Sequence, residues 1–164
     1  MNTLIVLALL QANIAPELAK WEGAVDVTVT TATCRDENAF YFPGLELVVV
    51  CKELDAKPAV QRFVFNHEMG HAWMFQHNVP NSERGADELG ALMSSYEDTI
   101  AAAHWFAGMG GGGDDGVHQA HTDRAASLFC LAYGLHKPDM TTPVCRMYAD
   151  SVAEQWTRVI MMAD

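Results

Sequence analysis

A chain of 164 residues, half of them hydrophobic and 19% charged, has the size and composition of one globular domain with a real core. Ten basic against 21 acidic residues leave a net charge of −11, which argues against nucleic acid and anionic membrane surfaces as partners and suits basic ones. No internal repeat is visible.

Residues 4–10 are an apolar run, and 12–15 could pass for a signal-peptide cleavage region. No Lys or Arg precedes the run, however, and it is short for a signal core and too short to span a bilayer. We therefore expect 1–23 to be a structural segment, with a short helix at 16–21 closed by Gly23, and no transmembrane helix anywhere. Val25, Val27 and Val29 alternate with Asp26, Thr28 and Thr30, the period of a half-buried strand. Residues 39–42, the turn Pro43-Gly44 and residues 45–51 read as a β-hairpin. Pro58 suits the first turn of a helix over 58–76, whose apolar stripe is Val60, Phe63, Val64, His67, His71 and Met74. Asn78-Val79-Pro80-Asn81-Ser82 is a turn, with Ser82 the N-cap of a helix over 83–106. Residues 108–117 are a glycine-rich loop without the Lys-Ser/Thr of a phosphate-binding loop, and form a candidate flap. A helix over 118–133 ends at Gly134 as a C′ glycine, and Pro143 opens the last helix, with Cys145, Tyr148, Val152, Trp156 and Ile160 on one stripe. The expected fold is a single α+β domain: a small N-terminal antiparallel sheet, then four main helices, with 58–76 central.

His67-Glu68-Met69-Gly70-His71 is an H-E-x-x-H motif within the central helix. Histidines four apart project from one helical face and can reach a single zinc ion, while the adjacent glutamate can act as base on a water. A lone histidine on a buried stripe is ordinarily a satisfied core residue; two, with Glu68 beside them, favour a metal.

A catalytic zinc needs a third protein ligand and an open position. Glu83 and Asp87 are four apart at the start of the next helix, and the small Gly85, Ala86 and Gly90 would let it approach closely. The spacing E-x-x-A-D resembles that of gluzincin peptidases, in which the glutamate binds zinc and the aspartate braces a ligand histidine. That resemblance implies Glu83 as ligand and Asp87 as brace; the reverse assignment stays open. The four cysteines pair most simply as Cys34 with Cys51 and Cys130 with Cys145, one of three connectivities. Each bridge would close a loop of about 15 residues, worth on the order of 3 kcal/mol in chain entropy. An oxidising compartment is the favoured setting.

Beyond these motifs, the chain resembles a bacterial family of zinc metallopeptidases whose substrates are undefined. The likeness covers roughly Cys34 to Trp156, through Asn38-Ala39-Phe40-Tyr41, Val50-Cys51-Lys52-Glu53-Leu54, the H-E-x-x-H, Glu83 to Asp87, His118, Arg124, Cys130-Leu131-Ala132-Tyr133-Gly134 and Cys145. Lys52 stands where that family usually has a tyrosine. The resemblance implies a minimal zincin-like domain that is exported, hence secreted or periplasmic. The expected reaction is peptide-bond hydrolysis on a peptide or protein substrate, with one Zn²⁺ on His67, His71 and Glu83 and with Glu68 as general base. His118 is the first candidate for the oxyanion donor, with His121 and Arg124 behind it. Arg124 alternatively pairs with Asp87 or Glu88 as structural support. The main rival is a zinc-scaffold binding or regulatory domain without turnover. A peptide deformylase would need a ligand cysteine in a separate motif, which the chain lacks.

Overall fold

The computed structural model describes residues 13–110 and 120–163. The fold is α+β: a short helix α1 (Ala15–Ala19), strands β1 (Thr28–Ala32), β2 (Ala39–Phe42) and β3 (Leu47–Cys51), then helices α2 (Pro58–Gln76), α3 (Glu83–Met93), α4 (Tyr96–Gly108), α5 (His121–His136) and α6 (Pro143–Ala163). The outer part of the N-terminal segment, residues 1–12, lies outside the described residues, as does most of the glycine-rich stretch. Among the described residues, no helix is long and apolar enough to cross a membrane.

The sheet is mixed rather than antiparallel. Its order is β1-β3-β2, with β2 antiparallel to β3 as a hairpin partner and β1 parallel to β3, pairing Thr28 with Leu47 through Ala32 with Cys51. The valine alternation marks the strand but not its bounds: Val25 precedes β1, which continues to Ala32. The hairpin turn is a 3-10 turn over Pro43–Leu45 that exits through Glu46 at φ 45°. Cys51, at the end of β3, is bonded to Cys34, and Cys130 of α5 to Cys145 of α6. Both bridges suit an oxidising compartment.

Helix α2 is central, with side chains buried nearly all round, including Phe63, Phe65, Met69 and Met74 at 0% exposure. It packs closely on α3 because the facing residues are small. A Cβ on Gly90 would stand 3.2 Å from the His67 backbone nitrogen, and one on Gly70 would stand 3.3 Å from the Ala86 backbone.

Two helical bounds differ from expectation. The helix over 83–106 is broken into α3 and α4 at Ser94-Ser95, where Ser94 is extended and the Ser95 hydroxyl accepts the Asp98 N–H at 3.1 Å as a new N-cap. Among the described residues, five α-helices therefore follow the sheet, the second expected helix being α3 and α4. Helix α5 begins at His121 and runs through Gly134 to His136. Gly134 is not a C′ residue; a Cβ there would lie 2.4 Å from Ala149 Cβ and 2.7 Å from the Cys145 carbonyl oxygen. Its absence lets α5 and α6 approach. On α6, Val152 and Trp156 are buried as the stripe predicts, whereas Ile160 is 40% exposed and Val159 and Ala163 pack against the core instead.

Candidate metal centre

Helix α2 delivers His67 and His71 from adjacent turns, their rings 4.7 Å apart and nearly perpendicular. Glu83 is the first residue of α3, placed by the Ser82 cap, whose hydroxyl accepts the Gly85 N–H at 3.0 Å. Its two carboxylate oxygens lie 3.4 Å from His67 Nε2 and 3.3 Å from His71 Nε2. All three donor atoms fall within 4.8 Å of one another. Donors 2.0–2.1 Å from a tetrahedral zinc stand roughly 3.3 Å apart, close to the two histidine–glutamate separations here.

Each imidazole is held by its other nitrogen. His67 Nδ1–H donates to Asp87 Oδ1 at 2.8 Å, and His71 Nδ1–H donates to Asn81 Oδ1 at 2.5 Å, with both tautomers assigned from these partners. Both Nε2 atoms are thereby turned toward Glu83. Asp87 thus stands on the edge of His67 away from the donor set, while Glu83 lies within it. Asp87 is itself clamped by Arg124, whose Nε and Nη2 donate to Oδ2 and Oδ1 at 2.8 and 2.7 Å. The Arg124 guanidinium lies 4.0 Å over the Phe106 ring, and its Nη1 is 3.8 Å from Glu83. Arg124 therefore pairs with Asp87; Glu88 serves Arg84 and Trp156 instead.

Glu68 is nearly buried, with Oε1 3.8 Å from His67 Nε2 and Oε2 accepting the Tyr41 N–H of β2 at 2.8 Å. Burial raises its proton affinity above that of an ordinary glutamate, against the pull of His67 and His71. For Glu83, burial alone would do the same, but the hydrogen bonds to His67 and His71 prevail and hold its carboxyl well below the usual range. Burial opposes a charge on His67, yet Asp87 and Glu83 overcome it and push the metal-free imidazole up to about 10. Asp87, desolvated but bonded to His67 and Arg124, stays low.

The donors face a cleft of about 640 Å³ between β2, α2, α4 and α5. Tyr41, Trp105, Phe106, His121 and Arg124 line it. His118, the expected oxyanion donor, lies outside the described residues. His121 opens α5 with its ring 5.9 Å from Phe106. Tyr41 turns its hydroxyl away to Glu46 at 2.8 Å; burial and that carboxylate hold the phenol well above its ordinary value.

Sequence reasoning missed Asn81 and the Tyr41 backbone. Asn81 stands two residues before Glu83 in a turn already marked by its composition, so its position was a usable signal. The Tyr41 contact joins residues 27 apart through the main chain, and no side-chain pattern announces it. Compared with protein families, characterised proteins and solved structures, the chain matches none.

Proposed function

We propose that the protein is a zinc metallopeptidase, with His67, His71 and Glu83 as the ligands of one zinc ion. The observation that carries this reading is Glu68, an ionisable carboxylate held beside a set of three donors. A purely structural zinc is usually closed by four protein ligands and has no use for a neighbouring base. Two imidazoles and a carboxylate suit zinc better than harder cations, which prefer all-oxygen sites.

Zinc held there would polarise a substrate carbonyl and make water acidic enough to react near neutral pH. Glu68 takes the proton of the attacking water on Oε1 and returns it to the leaving amine nitrogen. Oε2 remains on the Tyr41 N–H, so the carboxylate keeps one orientation through both transfers. Its burial raises its basicity toward the value a base needs at neutral pH. Asp87 and Asn81 keep the imidazoles turned toward the centre. The cleft leaves room for a peptide segment beside β2. The two disulfides and the motif resemblance favour an exported enzyme that acts on peptides or proteins.

The test is zinc content and casein cleavage for wild type and Glu68→Ala. One zinc in each, with cleavage lost by at least about 10²-fold in the variant, supports the reading. Zinc in both and cleavage by neither favours a zinc-scaffold binding domain. No metal in the wild type after zinc is supplied removes the site.

A further inference from the structure

The sheet has two outer edges, and their main chains are treated differently. The Cys51 N–H donates to the Asn38 carbonyl at 3.0 Å, so residues 38, 40 and 42 turn their backbone toward β3 while Ala39 and Tyr41 turn theirs outward. Both outward N–H groups are taken: Ala39 donates to Asn38 Oδ1 at 2.9 Å and Tyr41 to Glu68 Oε2 at 2.8 Å. That edge belongs to the metal cleft and offers no free N–H.

On the far edge, the Thr28 N–H donates to the Glu46 carbonyl at 2.8 Å, which fixes the alternation along β1. Thr28, Thr30 and Ala32 face β3 through their main chain, so Val29 and Thr31 each present an N–H and a C=O to the outside. Val29 is buried through its side chain, which packs in the core, and among the described residues none of these four main-chain groups has a hydrogen-bond partner. Edges are ordinarily blunted by lysine, proline or a bulge, yet residues 27–33 hold neither charge nor proline and pair with β3 without a bulge.

The stretch is also complementary to itself. Between 23 and 35 stand one acid, Asp26, before the strand and one base, Arg35, after it, and neither forms an ion pair among the described residues. Antiparallel self-pairing lays the Asp26 end of one strand beside the Arg35 end of the other, whereas parallel pairing sets like charges together. A twofold axis at Thr30 sets Val29 of each chain opposite the partner's Thr31 and joins the two strands by main-chain hydrogen bonds. Thr30 then meets the partner's Thr30, a favourable cross-strand pair.

We propose that β1 is an interaction edge that pairs antiparallel with β1 of a second copy, forming one continuous sheet across a dimer. Both β2 edges, and with them both metal clefts, stay at the outer ends.

The full chain with its disulfides intact is followed by sedimentation velocity from roughly 1 to 200 µM in about 0.15 M salt, where a screening length of about 8 Å limits the repulsion between two acidic chains. Expected is a concentration-dependent rise toward twice the 18.0 kDa of one chain, with the Val29 and Thr31 amides exchanging slowly in the dimer and fast on dilution. Thr31→Pro removes an outward N–H, leaves the bonds to β3 intact, and should stay a single chain. Asp26→Arg and Arg35→Asp should each raise the dissociation constant about fivefold or more, and the double reversal should restore it to within about twofold. Asp26→Arg also lowers the net negative charge, so relief of repulsion alone would strengthen the dimer instead. If Thr31→Pro does not fold, as judged by circular dichroism, the charge pair decides, because neither side chain belongs to the ladder. A wild type that remains a single chain throughout overturns the proposal, and protection of both amides at every concentration would then assign the edge to another part of the same chain. A dimer indifferent to Thr31→Pro and to both reversals uses another surface and overturns it equally.

Discussion

Asp87 accepts one hydrogen bond from His67 and two from Arg124, all at 2.8 Å or less, while almost wholly buried. A buried carboxylate is tolerable only when paired in this way. Its charge makes the His67 ring a stronger donor toward a metal and fixes its rotation. Asp87→Asn keeps the size of the side chain and an acceptor for Nδ1–H, but removes the charge. We expect its zinc affinity, measured by chelator competition, to fall about 10–100-fold. Affinity equal to the wild type would mean that Asp87 only fills space. The H-E-x-x-H and E-x-x-A-D spacings made four of these positions legible, because the helical period alone puts i and i+4 on one face. For Arg124 the sequence left Asp87 and Glu88 as alternative partners beside a role at the oxyanion, since the pairing joins residues 37 positions apart on different helices.

Among the elements, small residues decide where helices touch. Gly134 sits where α5 meets α6, and a methyl group there would fall 2.4 Å from Ala149 Cβ, with the Cys145 carbonyl oxygen behind it at 2.7 Å. Both neighbours are short or backbone and cannot swing aside. Alanine is the better helix former by up to about 1 kcal/mol, but overpacking costs about 1–3 kcal/mol, so the clash should prevail. Gly134→Ala should lower the melting temperature; a rise would show that the helices separate without penalty. The division of α3 from α4 depends on equally local chemistry. Ser95 with Asp98 three residues later is a capping signature, and Ser94 turns its hydroxyl to Asn66 Nδ2 at 3.0 Å. The apolar spacing across that junction stays close to helical, so periodicity alone reads one helix where the caps specify two.

For the whole molecule, the centre links stability to pH. Between about 6.5 and 10 the folded metal-free protein holds a proton on His67 that the unfolded chain releases, so stability falls as pH rises through this window. Asp87 and Glu83 act oppositely. Their carboxyls are depressed in the fold, so the stability they contribute is present above about pH 4 and is lost as pH falls below it. Melts of the chelator-treated protein across pH 3 to 10 should therefore show a maximum between roughly 4.5 and 6.5. A melting temperature that climbs from pH 6.5 to 10 would contradict the His67 arrangement. Zinc must displace that proton, so its stabilising effect should grow with pH.

The sequence by itself determined the α+β class, the central helix and the shared face of His67 and His71, and it favoured the cysteine pairing found, while leaving Glu83 and Asp87 as alternatives. Each rests on short-range physics: helical period, capping, or a loop short enough to close. Only the tertiary structure decided that β1 runs parallel to β3, that Arg124 serves Asp87, that β2 anchors Glu68 by a backbone N–H, and that His121 keeps a dry, unpaired nitrogen. These depend on groups distant in the chain meeting in three dimensions, where burial and the demand of every polar atom for a partner select the arrangement.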